Sequence, residues 1–550
     1  MSQQAIELEI FNKILASIAE EMGIVLRRSA FSPNIRERRD FSCAIFDKEG
    51  ELIAQASHIP VHLGAMPLTM KKILPQFKWE AGDIVITNDP FQGGTHLPDI
   101  TLIKPIFVNQ QLYFFLIVRA HHADIGGEYP GSMAVTDHIE KEGVLIKPTK
   151  IIKKGKINKL FLEELLKKLR NPLERKGDLR AQLASLERGE ERLLNIVERY
   201  SLEKVLEMSN ALKKYTEKAM HSLITHLPQG KYSFVDYLDD DGFGKKDIAI
   251  KVNVEIKDKI IIVDFSKSDN QVRGSVNAPR AVTEAAVYYV FLSLLNTLGD
   301  YPINQGCFSP IKILTKPGTI VDAKYPAAVA AGNVETSQRI VDALLGALAQ
   351  AMPDLIPAAS CGTMNNIAIG GIHPKTNKVF AYYETIGGGM GGRPKKDGLS
   401  GVHTHMTNTL NTPVEAIEHD YPFLIEAYYL RKGSGGKGYF QGGDGLVRIY
   451  YFLSPCTVTI LSERRCYAPY GLKGGSAGKQ GENIVISGEK EIKLPGKINF
   501  EVRTGDRLII KTPGGGGWGK EIRRENYEEI FNFSDIYVFI EFTSLCRFNT

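Results

Sequence analysis

A chain of 550 residues exceeds what one hydrophobic core ordinarily organises, so two or more packed lobes and an enzyme-sized body are expected. The formal net charge of +5, from 68 basic and 63 acidic residues spread along the chain, gives no electrostatic footprint for nucleic acid. The 6 cysteines are far apart and form no CxxC, which excludes a disulfide framework and a sulfur-rich zinc site; with no leader-like start and no apolar run of roughly eighteen residues, a soluble, cytoplasmic protein without membrane contact is expected.

In chain order, residues 4–28 place Ile6, Ile10, Ile14, Ile18, Met22 and Val25 on a helical stripe that stops near Ser32-Pro33. From Phe41 to Ile53 short apolar runs flank the turn Asp47-Lys48-Glu49-Gly50, the pattern of a β-hairpin. Strand-like runs follow at Ile84–Thr87, Thr101–Phe107 and Tyr113–Val118. Residues 157–226 are rich in Leu, Glu, Lys and Arg at helical spacing, broken near Asn171-Pro172 and closed by Pro228-Gln229-Gly230. Strands are then expected at Tyr232–Leu238, Ile248–Ile256 and Lys259–Phe265, and a buried helix at Ala281–Leu298. The C-terminal half carries glycine clusters at 387–389, 391–392, 435–436, 442–443, 474–475 and 514–517, read chiefly as turns, between β-like runs at Val447–Leu453, Thr457–Leu461 and Arg507–Lys511. The expectation is a multi-lobed α+β protein: a mixed N-terminal region (1–156), a helical insert (157–230), an α+β to β-rich, glycine-rich C-terminal region (231–519), and a divergent tail (520–550).

The stretch Asn88-Asp89-Pro90-Phe91-Gln92-Gly93-Gly94-Thr95-His96-Leu97-Pro98-Asp99 bends sharply and presents His96 and Asp99 at the entrance to a strand. The next strand ends in Arg119-Ala120-His121-His122-Ala123-Asp124, so adjacent strands bring His121 beside His96 and Asp99. Two imidazoles and a carboxylate suit one divalent ion, Zn²⁺ or Mn²⁺, and leave coordination positions open for water or substrate. His122 and Asp124 are candidates for acid/base work or for holding the ligands. Histidines near strand ends are more often structural than ligating, so the pattern alone is a weak signal and the residues leave metal and packing readings evenly weighed. The charged segment Asn34–Ser42 could line a cleft or be a solvated connection, and His58 and His62 read as packed loop histidines. No GxxxxGK[ST] loop occurs: Gly474-Gly475-Ser476-Ala477-Gly478-Lys479-Gln480 is nearest and lacks both the first glycine and the final hydroxyl. No GxSxG elbow occurs either, and Cys361 reads as a buried small residue.

Five stretches, Asn88–Ile100, Ala120–Met133 (AHHADIGGEYPGSM), Gly177–Gln182 (GDLRAQ), Val334–Arg339 (VETSQR) and His419–Leu430 (HDYPFLIEAYYL), together resemble the hydantoinase B family, with the likeness running from about Ala5 to Gly519. That family includes the B subunit of N-methylhydantoinase, the corresponding half of 5-oxoprolinase and the large subunit of acetone carboxylase. The resemblance implies metal ligands at His96, Asp99 and His121. It further implies a separate A-type subunit that binds ATP and phosphorylates a cyclic amide of the hydantoin or 5-oxoproline kind. The present chain then completes the hydrolysis, in an A₂B₂ or larger assembly. A subunit of a ketone carboxylase and a non-catalytic assembly partner of the A subunit are the alternatives.

Overall fold

The computed structural model describes residues 3–56 and 59–521; His58 and all but the first two residues of the 520–550 tail lie outside them. The N-terminal stripe forms helix α1 (Gln3–Ser29), and the hairpin forms β1 (Phe41–Asp47) and β2 (Leu52–Ala56). With β3 (Ile84–Thr87), β4 (Asp99–Val108), β5 (Gln111–His121), β6 (Thr149–Lys153) and β7 (Lys156–Ile157) they make a seven-stranded antiparallel sheet in the order β2-β1-β5-β4-β3-β6-β7.

Both faces of this sheet are buried, which is why its central strands read as continuous apolar runs rather than as strict alternation. Cys43, Ile45, Leu116 and Val118 pack toward α1 and the helix Pro172–Tyr200, against Leu15, Ile18, Met22, Leu186 and Leu193. Ala44, Phe46, Phe115 and Ile117 join a second core with the helices Arg280–Leu295 and Ser337–Ala351. Glycines fit where those elements close in: a Cβ at Gly189 would sit 2.5 Å from the Met22 sulfur.

The helical insert holds three helices, Lys159–Lys167, Pro172–Tyr200 and Leu202–His226, the break falling at Asn171 with φ 51°. The central strands Gly230–Asp240, Lys246–Lys257 and Ile260–Asp264 form a sheet completed by Ile311–Leu314, which pairs in parallel with Ile260–Asp264. Further on, a four-stranded sheet (Val379–Glu384, Asn366–Ile372, Cys456–Leu461, Lys497–Val502) and a five-stranded one (Phe423–Arg431, Gly445–Phe452, Arg507–Lys511, Glu482–Ser487, Lys490–Leu494) share a third core. No helix among the described residues is long and apolar enough to cross a membrane.

The glycine clusters depart from the turn reading. Of the clustered glycines only Gly474 has a left-handed φ. The others let backbones touch: a Cβ at Gly389 would lie 2.0 Å from the Gly443 carbonyl oxygen, and one at Gly515 would lie 2.1 Å from that of Met390. The segments are stitched by Gly389 N–H to Pro513 O (3.0 Å), Gly443 N–H to Met390 O (2.8 Å) and Gly515 N–H to Gly443 O (2.9 Å). Hydrogen-bonded main chains at this spacing leave no room for any side chain, so glycine is required for approach rather than for turning.

Candidate metal centre

The ends of β1, β4 and β5 meet in register. Asp99 opens β4 directly opposite His121, the last residue of β5; Thr101 faces Arg119, and Arg119 faces Ser42 of β1. Residues two apart share a face of a sheet, so Ser42, Asp99, Thr101, Arg119 and His121 project to one side, the side that carries Ile103 and Ile117 deeper in. The apolar face ends in a polar patch.

The loop before β4 supplies the third group. Asp89 accepts from Phe91 N–H at 2.9 Å, Gly93 takes φ 91° where a Cβ would strike the Thr69 backbone at 2.6 Å, and Asn88 donates to Leu97 O (2.8 Å) and Val144 O (2.9 Å). Those bonds fix the bend that turns His96 toward Asp99. His96 Nε2 lies 3.1 Å from Asp99 Oδ1, His121 Nδ1 lies 3.3 Å from the same oxygen, and the two nitrogens are 3.2 Å apart. All three side chains are at most 3 % exposed.

This near-equilateral triangle passes a test of fit to one ion. Ligands about 2.0–2.1 Å from a tetrahedral ion stand about 3.3–3.4 Å apart, and octahedral neighbours at about 2.1 Å stand about 3.0 Å apart. The observed edges fall between these, so the spacing suits Zn²⁺ and Mn²⁺ alike. Asp99 Oδ1 is buried without a hydrogen-bond partner, as an oxygen reserved for a cation would be. Burial would raise the Asp99 carboxyl, but the imidazoles of His96, His121 and His62 beside it hold it well below the usual carboxylate range. Burial lowers His121 against the pull of Asp40, leaving a neutral ring with a lone pair to give.

Groups from distant segments surround the triangle. Asp40 Oδ2 is 3.9 Å from His121 Nδ1. Asn333 Nδ2 is 3.0 Å from His96 Nε2 and projects from a π-helical turn, Gly332–Thr336, that overlaps the start of the VETSQR stretch. The Ala330 carbonyl faces His96 Nδ1 at 3.4 Å. The Tyr383 ring stacks on His121 with centroids 4.8 Å apart, and the Arg38 guanidinium covers Tyr383 at 4.9 Å. His62, read from sequence as packing, reaches Asp99 Oδ2 at 3.4 Å.

His122 and Asp124 are not drawn into this cluster. One residue past His121, His122 faces the helix Pro172–Tyr200, with Nε2 3.0 Å from Gln182 Oε1, and burial pushes it down to about 4. Asp124 accepts from Gly126 N–H (2.7 Å), Gly131 N–H (2.8 Å) and Arg170 Nη1 (3.1 Å), an arrangement that ties a loop to the helical insert. Burial pushes its carboxyl up against the charge of Arg170.

The chain matches the family described as Hydantoinase B/oxoprolinase over residues 4–521. An uncharacterised protein of Methanocaldococcus jannaschii is 44% identical, the match covering 94% of this chain and 91% of that one. The 5-oxoprolinase 1 of Arabidopsis thaliana is 40% identical over 94% of this chain, which spans only 42% of that protein's length. A Pseudomonas sp. protein provisionally named as the B subunit of a D-/L-hydantoinase is 32% identical, with 95% and 91% of the two chains covered. Among solved structures, the ATP-dependent caprolactamase of Pseudomonas jessenii superposes with TM-score 0.87 at 27% identity, over 94% of this chain and 91% of that one. Acetone carboxylase shares the fold at TM-score 0.87 and 18% identity, over 94% and 76%.

Proposed function

Because this chain belongs to the Hydantoinase B/oxoprolinase family, we propose that it is the metal-binding subunit of an ATP-dependent enzyme that hydrolyses cyclic amides of the hydantoin or 5-oxoproline kind, one divalent ion being held by His96, Asp99 and His121. The carrying observation is the buried triangle of ligand atoms 3.1, 3.2 and 3.3 Å apart. ATP is assigned to a separate A-type subunit, in line with the provisional B-type name of the Pseudomonas relative and with the missing phosphate loop. Caprolactamase, a solved protein of the same fold, is ATP-dependent by its name and supports the cyclic amide reading. The likeness to acetone carboxylase is one of fold and adds no ketone chemistry.

An amide ring resists attack because resonance weakens the carbonyl as an electrophile; phosphorylation of the carbonyl oxygen by the A subunit removes that resonance, water delivered by this chain adds to the carbon, the ring C–N bond breaks as its nitrogen takes a proton, and a second water releases phosphate from the resulting acyl phosphate. A divalent ion held by His96, Asp99 and His121 would lower the pKa of water and so make it a nucleophile near neutral pH. The chain's own residues do the rest. Asp99 brings the negative charge, His96 and His121 bring neutral nitrogens, and Ala330 O holds the His96 ring through Nδ1. The Tyr383 ring, stacked on His121, closes one side of the cluster to bulk water. Asp124 is assigned to loop architecture, its oxygens being committed to Gly126, Gly131 and Arg170. On the outer surface, the edge strand Phe423–Arg431 exposes Tyr428, Tyr429 and Leu430, and we place a contact of the A₂B₂ assembly there.

The test is co-purification with an A-type subunit, metal analysis, and assay of ATP turnover across hydantoins, 5-oxoproline and larger lactams. Cyclic-amide-dependent ATP hydrolysis that needs both subunits, and that His96→Ala abolishes together with bound metal, is the expected result. Full activity in His96→Ala would defeat the reading.

A further inference from the structure

His62 has no task in the metal reading so far, yet both its ring nitrogens are engaged. It ends the short turn Pro60–His62 and is buried. Nδ1 lies 3.0 Å from Ser42 Oγ, and Nε2 lies 3.4 Å from Asp99 Oδ2. The same carboxylate oxygen also accepts from Thr95 Oγ1. Asp99 is thereby divided: Oδ2 accepts from Thr95 and has the His62 ring nitrogen within 3.4 Å, whereas Oδ1 faces the two ligand nitrogens and has no hydrogen-bond partner.

The proton positions follow from donor chemistry. A carboxylate only accepts, so the imidazole proton of a neutral His62 stands on Nε2; its Nδ1 is then an acceptor, and the Ser42 hydroxyl must donate to it. Hydroxyl to imidazole to carboxylate is also the wiring of a serine nucleophile. Ser42, however, lies within β1, between β2 and β5, and its side chain is 1% exposed, so its oxygen cannot approach a substrate carbonyl.

We infer that Ser42 and His62 are positioning residues for the ligand Asp99: the serine fixes the imidazole tautomer, and His62 with Thr95 holds Oδ2 so that the carboxylate meets the ion through Oδ1 alone. This rests on the triangle being a metal site. Two-oxygen chelation would compete with the Thr95 and His62 contacts for Oδ2 and fill a coordination position that a reacting water needs. A hydrogen bond on the outer atom of a metal ligand typically contributes roughly 10–100-fold in metal affinity.

The experiment measures Zn²⁺ affinity of the full chain by competition with a chromophoric chelator, with the melting temperature of each metal-free variant recorded alongside. His62→Leu is expected to weaken Zn²⁺ roughly 10–100-fold, while His62→Gln, whose amide N–H can serve Asp99, stays within about threefold of the parent. In the Co²⁺-loaded protein, His62→Leu should lower the visible absorption, because a freed Oδ2 joins the ion and raises its coordination number; His62→Gln should keep the parent spectrum. His96→Ala serves as control and should lose Zn²⁺ binding. If His62→Leu binds as tightly as the parent while His96→Ala does not, the positioning role is overturned and the metal reading stands. Equal losses in the Leu and Gln variants overturn it too, since packing alone would then explain them. If His96→Ala leaves Zn²⁺ affinity unchanged, the metal reading falls and this inference with it. Should His62→Leu fail to fold, Ser42→Ala carries the test: a several-fold loss supports the tautomer lock, and unchanged affinity overturns it.

Discussion

Glu142 offers a pH test of the scaffold that holds the cluster. It ends the short helix Ile139–Glu142, and its Oε1 accepts from Val329 N–H at 2.8 Å, Ala330 N–H at 2.9 Å and Thr136 Oγ1 at 3.3 Å, while Oε2 is buried without a partner. Burial outweighs those three bonds and pushes the carboxyl from 4.5 up to about 8. A folded-state value above the unfolded one means that the folded chain holds the proton more tightly. The stabilisation is therefore complete below about pH 4.5 and is lost as pH rises through about 8. Glu142→Gln keeps a neutral acceptor for the two N–H groups and removes the titration. Each pH unit in that window changes the parent relative to the variant by about 1.4 kcal/mol, so from about pH 5 to 7 the variant should gain roughly 3 kcal/mol on the parent. With an unfolding entropy of roughly 2 cal/mol/K per residue, a chain of this size shifts by about 1 °C per kcal/mol, so melting curves at the two pH values should diverge by about 3 °C. A difference between parent and variant that stays flat with pH, or grows in favour of the parent, would refute the neutral buried acid.

Asp99→Asn keeps the shape of the ligand and removes its charge, and Zn²⁺ affinity by chelator competition should fall by more than the roughly 10–100-fold typical of a supporting residue. Gln182→Leu strips His122 of its Nε2 partner and should cost about 1–3 kcal/mol in urea unfolding while leaving Zn²⁺ affinity within about twofold. A large loss of metal there would bring His122 back into the site. Gly515→Ala, whose Cβ would meet the Met390 oxygen at 2.1 Å, should destabilise by about 1–3 kcal/mol or more; Gly488→Ala, with open space and φ 60°, should cost only about 1 kcal/mol by the same measurement.

The first helix, the helical insert, the buried helix Arg280–Leu295 and the hairpin and central strands were legible because their periodicities are local, whereas the helices Ala65–Ile73 and Ser337–Ala351 were not read from sequence. His96, Asp99 and His121 were legible for a related reason: a bend, a strand start and the end of the next strand lie within 26 residues, and antiparallel register alone sets Asp99 opposite His121. The alternation that brings His121 in also carries its neighbour away, so an HH pair divides between the cluster and Gln182. Asp40 belongs to the charged Asn34–Ser42 segment that the sequence offered as one lining of a cleft, and the register of β1 on β5 sets it beside His121. His62, Asn333 and Tyr383 could not be placed from sequence: they arrive from a short turn, a π-helical bulge and a strand of another sheet, brought by packing that leaves no local signature. The VETSQR stretch pointed to the right neighbourhood without naming Asn333, the residue just before it. The glycine clusters were visible, but a composition shared by turns and by packed main chains does not tell the two apart.

Where those residues come from bears on how metal and fold are coupled. The triangle belongs to the first sheet, yet His96 is braced by Ala330 and Asn333 and His121 by Tyr383, from segments more than 200 residues further along. Glu142 adds a cross-tie, since the N–H groups it accepts from include that of Ala330, whose carbonyl faces His96. The ligand geometry is thus complete only when the N-terminal sheet, the 327–339 segment and the strand bearing Tyr383 have all docked. An ion that binds the docked arrangement and not the separated one stabilises the whole assembly by mass action, so its binding energy is spread over contacts far from the site. Variants such as Glu142→Gln, which touch no ligand, should therefore change metal affinity only through the docking equilibrium, whereas Asp99→Asn changes it at the ion itself.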